Sequence, residues 1–158
     1  MASPFKIFSI MFTARRPSKV LEMRAVSIPF WLRKGYDAVT FFGTIITNDK
    51  ADADRYNQAP HPVKYHETIH LRQAQSTHNS WLCFYWKYMI FWFQARRANR
   101  ILPNAGYELN PFEMEAYANM YNPHYLERFG DEGATGWKQY EAMTLAQRFR
   151  ARRKYSRD

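Results

Sequence analysis

The chain reads as an α+β protein, with an N-terminal sheet followed by a chemistry-bearing helix and several supporting helices. Three observations predict this. The first fifty residues contain stretches rich in β-branched and aromatic residues, which suit strands. The remainder divides at Pro, Gly and Asn into segments long enough for helices. Strands precede helices and do not alternate with them, which favours α+β over a parallel βαβ arrangement. The length of 158 residues fits one domain. Residues 1–158 are expected to form it, with a core over about 20–125 and a basic C-terminal helix and tail over 137–158.

Residues 20–33 (VLEMRAVSIPFWLR) and 38–47 (AVTFFGTIIT) are the strand segments. Pro29 confines part of the first to a sheet edge or a bulge. Residues 48–54 (NDKADAD) are polar and acidic and read as a turn or loop. The prolines of Ala59-Pro60-His61-Pro62 mark a helix start, and Val63 to about Thr77 continues without Gly or Pro. A second helix spans Ser80 to Ala98 and is apolar nearly all round between Trp81 and Phe93. Residues 102–106 (LPNAG) break it, Pro111 opens a third helix over Phe112–Tyr121, and Asn122-Pro123 closes that one. After a turn over Gly130–Gly136, a last helix runs from Trp137 to about Lys154.

Composition narrows the function classes. Hydrophobic residues make up 46% of the chain, so a folded core is expected. Aromatic residues reach 18%, with 12 Phe, 11 Tyr and 5 Trp. A single cysteine, Cys83, excludes an internal disulfide framework and a zinc site built mainly from thiolates. Net charge is +9, concentrated at residues 1–34, 87–100 and 141–158, which points to polyanions or an acidic partner protein. The candidate contacts are Arg96, Arg97 and Arg100 after the aromatic helix, and Arg150, Arg152 and Arg153 in the tail. No helix-turn-helix, zinc-finger or RNA-recognition pattern accompanies them, so sequence-specific nucleic-acid binding is not expected.

The apolar start of the chain precedes its basic residues, the reverse of a secretory signal, so a cytoplasmic location is expected. The 81–93 run is too short to span a bilayer. It reads as a helix buried against the sheet or a partner, with Lys87 reaching out to solvent. The alternative is peripheral membrane contact, with the three arginines on anionic headgroups.

His66-Glu67-Thr68-Ile69-His70 fits H-E-x-x-H. On a helix, residues four apart share a face, so the two imidazoles can converge on one zinc ion. Glu67 falls about 100° round the helix, where a carboxylate acts as general base on water without binding the metal. A catalytic zinc needs a third protein ligand. Gln73 and Ser76 occupy the positions where H-E-x-x-H-x-x-G-x-x-H would need Gly and His, so that arrangement is excluded. His78 is two turns beyond His70 and too far along the helix. Cys83 reads as an inert core residue, and His124 stays open as a candidate. The best candidate is the helix in Asn110–Asn119 (NPFEMEAYAN).

With that helix the two motifs resemble zincin-type metallopeptidases of the glutamate-ligand kind. Those pair H-E-x-x-H with a downstream helix that often reads as an aromatic residue, then E-x-x-A-D. Phe112-Glu113-Met114-Glu115-Ala116-Tyr117 is similar, over roughly residues 36–120, and short bacterial and phage-type proteins carry the same H-E-x-I-H and F-E-x-E-A-Y pair. The resemblance implies a small zincin-like domain whose sheet edge flanks a metal cleft, one Zn2+ per chain and a peptide or protein substrate. It makes Glu113 the third ligand, with Glu115 as the alternative register and Asn119 then in the orienting position. Tyr117 stands where the family commonly has an acid that orients a ligand histidine. Tyr65, Tyr107 and Tyr117 are candidates to stabilise a developing oxyanion.

The expected function is zinc-dependent hydrolysis of peptides by activated water. An edge strand from residues 38–47 would align the substrate. The rival expectation is a non-catalytic module of the same fold in a phage or membrane-associated assembly, docking through its basic termini and located at a membrane periphery or in a virion.

Overall fold

A computed structural model of the chain describes residues 23–32, 38–58 and 61–154. Three short strands, β1 (Arg24–Ser27), β2 (Val39–Phe41) and β3 (Thr44–Thr47), form one sheet in the order β1-β3-β2. β1 runs parallel to β3, with Ala25 opposite Ile45, and β2 pairs antiparallel to β3, with Thr40 opposite Ile45. Phe42 and Gly43 form the β2–β3 turn with φ of 46° and 82°. Two successive left-handed residues are what a tight two-residue hairpin requires. Glycine adopts this freely, whereas Phe42 is held there by ring contacts with Phe41, Trp81 and Tyr85 and by donation of its N–H to Tyr85 Oη.

Seven α-helices follow among the described residues: α1 (Lys50–Gln58), α2 (Pro62–Ser76), α3 (Trp81–Ala95), α4 (Ala105–Glu108), α5 (Pro111–Asn119), α6 (Trp137–Glu141) and α7 (Leu145–Arg152). The architecture is therefore α+β, strands first. Sheet, α2, α3, α5 and α6 share one core that includes Ile45, Leu71, Trp81, Phe84, Phe91, Phe112 and Trp137.

Three elements depart from expectation. The acidic stretch at 48–54 starts a helix. Asp49 Oδ1 accepts from Ala51 N, Lys50 pairs with Asp54 and Arg55 with Asp52, and Ala53 and Tyr56 are buried. Asn57 of α1 also bonds both backbone groups of Ala25, covering the outer edge of β1 there. The break at 102–106 contains the start of one-turn α4, after Asn104 in the left-handed region. The last helix is two helices: Thr144 caps α7 by exchanging bonds with Gln147, which turns the chain between Glu141 and Leu145.

α3 is only half buried. Trp81, Phe84, Phe91 and Ala95 face the core, while Leu82, Trp86, Met89, Ile90 and Phe93 are exposed. The expected burial against the fold holds for the first of these faces and not for the second. Cys83 is exposed too, and not a core residue. Lys87 lies 4.3 Å above the Trp137 ring and pairs with Glu141 at 3.1 Å. No helix among the described residues is long and apolar enough to cross a membrane.

Candidate metal centre

Local capping places the two helices that build the site. His61 Nδ1 accepts from Val63 N at 3.2 Å and Pro62 begins α2, so the helix is well formed before it reaches His66. α5 starts in the same manner: Asn110 Oδ1 accepts from Phe112 N at 3.1 Å and Pro111 is first in the helix. Gln73 of α2 reaches across to donate to the Phe112 carbonyl at 2.9 Å, which fixes the relative position of the pair.

Between these helices His66, His70 and Glu113 converge. Their Nε2 atoms lie 3.1 Å apart, Glu113 Oε2 is 3.2 Å from His66 Nε2, and Glu113 Oε1 is 3.5 Å from His70 Nε2. Zinc bonds of about 2.0–2.2 Å in a tetrahedral arrangement separate adjacent ligand atoms by about 3.3–3.6 Å. The His66–His70 and His66–Glu113 Oε2 separations match that spacing to within a few tenths of an ångström, and one ligand atom from each of the three residues lies within 4.8 Å of the others. Two imidazoles and a carboxylate are also a donor set that zinc accepts. All three side chains are buried.

The surroundings leave particular atoms open. Gln73 Nε2 has two acceptors, Phe112 O and Glu115 Oε2, so its Oε1 faces His70 Nδ1 at 2.8 Å. An amide oxygen can only accept; His70 therefore keeps a proton on Nδ1, and Nε2, which faces the cluster, is the nitrogen that an ion would take in place of a proton. Tyr88 Oη donates to Glu113 Oε1 at 2.9 Å, while Glu113 Oε2 is buried with no hydrogen-bond partner among the described residues. His66 Nδ1 is likewise buried without a partner among the described residues. Thr40 Oγ1 of β2 donates to Glu67 Oε2 in a short bond, which ties the sheet to the H-E-x-x-H helix.

Electrostatics follow from this crowding. Burial pulls His70 down, but Glu113, Glu67 and Gln73 together outweigh it and the imidazole rises to about 9. Burial would raise Glu113, yet His70 and His66 hold it well below the usual carboxylate range. Burial pushes the Tyr88 and Tyr107 phenols far up, reinforced by Glu113, and raises Tyr117 to about 12. The phenols stay neutral while the carboxylate is ionised, an environment that favours a cation between the helices.

Of the expected residues, His66, His70 and Glu113 come together, with Glu67 beside them on α2. Glu115 does not. It is fully buried on the other side of α5 and accepts from Gln73 Nε2, Tyr125 Oη, Gly136 N and Trp137 N. Asn119 bonds the Glu115 carbonyl and not the site. The Tyr117 ring meets His66 edge-on at 4.5 Å, but its hydroxyl is shared with Tyr107 Oη, so it does not orient the imidazole by a hydrogen bond. Tyr65 is half-buried and makes no hydrogen bond to the cluster. His124 is exposed and pairs with Glu127.

Arg96, Arg97, Arg100, Arg150 and Arg153 are exposed, whereas Arg152 is taken up by Glu108. Sequence reasoning missed Gln73, Thr40 and Tyr88 as partners. Gln73 had a signal, since it follows His70 by three residues on the same helix face. The open edge of β2 is partly engaged: Tyr85 Oη donates to the Thr40 carbonyl at 3.3 Å and accepts from Phe42 N. Comparison of the chain with protein-family models, curated proteins and solved structures finds no match.

Proposed function

We propose that the protein is a zinc-dependent metallohydrolase of zincin type, acting on peptide bonds, with one ion per chain held by His66, His70 and Glu113. The observation that carries this reading is the buried cluster of donor groups, with His66 Nε2, His70 Nε2 and the two Glu113 oxygens approaching one another at 3.1–3.5 Å, next to a carboxylate that belongs to the same H-E-x-x-H helix. Zinc in such a site supplies Lewis-acid activation of water and of the scissile carbonyl.

The remaining work falls to the chain's own groups. Gln73 holds the proton of His70 on Nδ1, so that Nε2 is the nitrogen that would bind the ion, and Tyr88 engages Glu113 Oε1 so that Oε2 is left as a ligand atom. Thr40 occupies Glu67 Oε2, leaving Oε1 to take a proton from water. The hydrolytic reaction class is supported by the donor set and its neighbouring base. The peptide substrate is supported by the resemblance of the two helical motifs to glutamate-ligand zincins.

Elemental analysis of the purified protein tests the site. About one zinc per chain is expected, and it should be lost in His70→Ala and in Glu113→Ala. Glu67→Gln should keep the metal and lose hydrolysis of a fluorescein-labelled unfolded protein. Retention of zinc in Glu113→Ala would overturn the ligand set, and near-normal turnover in Glu67→Gln would overturn the general base.

A further inference from the structure

The exposed face of α3 has no role in the metal centre. Leu82, Trp86, Met89, Ile90 and Phe93 recur at intervals of four, three, one and three residues, so they form one stripe along the helix. Trp86 is 72% exposed and Leu82 68%, and Ile101 just beyond the helix is 78% exposed. A contiguous apolar stripe of this kind marks an interaction surface. The opposite face of α3 is anchored in the core through Trp81, Phe84 and Phe91, so the stripe is presented on a fixed helix.

Charge identifies the occupant. Arg96, Arg97 and Arg100 are exposed at the C-terminal end of the same helix. The sequence has no Asp or Glu between Glu67 and Glu108. Lys87, the one cation within α3, is already paired with Glu141. The surface therefore offers large apolar and aromatic side chains beside a cluster of unneutralised guanidinium groups. A second copy packed through the same helix would cover the stripe but bring no carboxylate from residues 68–107 to the arginines. A bilayer with anionic headgroups meets both demands, taking Trp86 and Phe93 at the acyl boundary and phosphate against the arginines. We propose that the exposed face of α3, with Arg96, Arg97 and Arg100, docks the protein on an anionic lipid surface. This inference is independent of the metal centre.

Co-sedimentation of the full chain with vesicles tests it, using phosphatidylcholine with phosphatidylserine against phosphatidylcholine alone. Binding is expected to the anionic vesicles, with a blue shift of tryptophan fluorescence and weakening by salt. The double variant Trp86→Ser/Phe93→Ser should lose binding. The triple variant Arg96→Gln/Arg97→Gln/Arg100→Gln should lose about a hundredfold, at about fivefold per arginine. All five side chains are exposed, so the helical circular dichroism of both variants should match that of the wild type. Absence of binding, or equal binding to both kinds of vesicle, would overturn the proposal. So would a lipid-free dimer that Trp86→Ser/Phe93→Ser dissociates, or retention of vesicle binding in both variants.

Discussion

Gln73 Nε2 donates to Glu115 Oε2 at 2.9 Å, and through that bond a buried carboxylate outside the His66–His70–Glu113 cluster is linked to one of its histidines. Glu115 holds the amide, the amide oxygen faces His70 Nδ1, and the imidazole presents Nε2 to the cluster. Replacing Gln73 with Met keeps the volume and removes the acceptor. Zinc affinity should fall about 10- to 100-fold, as expected when the group orienting a ligand histidine is lost. Competition with a chromophoric chelator measures it, and unchanged affinity would refute the orienting role.

Glu115 and Glu113 should separate by phenotype. Glu115→Gln places an amide NH2 among four donors, so it should destabilise the fold by about 2–3 kcal/mol while the folded protein keeps its zinc. Glu113→Gln should lose the ion and the stability the ion supplies, with little further cost when it is compared with the metal-free wild type. Urea unfolding together with metal analysis of both variants distinguishes them.

Thr40 links the sheet to the proposed base. Thr40→Val removes the donor to Glu67 and should lower turnover about tenfold, the size of one hydrogen bond to a charged group. Zinc content should not change. A rate equal to that of the wild type would mean that Glu67 is oriented by other groups.

Alkaline pH should destabilise the protein through its phenols. Burial raises Tyr85 from 10 to about 12, so folding favours the neutral form. The resulting stability is present in full below pH 10 and is lost as pH rises towards 12. The shift corresponds to roughly 2–3 kcal/mol. Tyr88, Tyr107 and Tyr125 are raised in the same direction. Unfolding free energy followed from pH 9 to 12 should therefore decline, and Tyr85→Phe should decline less.

The site was legible in sequence where its geometry is local. The four-residue interval between His66 and His70 and the caps at His61-Pro62 and Asn110-Pro111 are short-range patterns, and each holds in the structure. Glu113 and Glu115 could not be separated from spacing because both are buried; what differs is the element each faces across α5. Thr40 and Tyr88 meet the site only through tertiary packing, which no local pattern encodes. The helix at Lys50–Gln58 was hidden by its polar composition, since its place in the fold depends on Ala53, Tyr56 and Asn57 docking on the sheet. The division between α6 and α7 did have a local signature, the Thr144–Gln147 capping box.

The two halves of the triangle sit on either side of α3 in the chain, His70 before it and Glu113 after it. An ion shared by them would tie off a loop containing the whole aromatic helix, much as a cross-link does, worth about 4 kcal/mol of chain entropy for a loop of this length. Chelation would untie that loop. The metal-free chain should then unfold more readily around α3 and release its remaining aromatic side chains, so a chelator should make the protein prone to aggregate at temperatures the loaded form withstands.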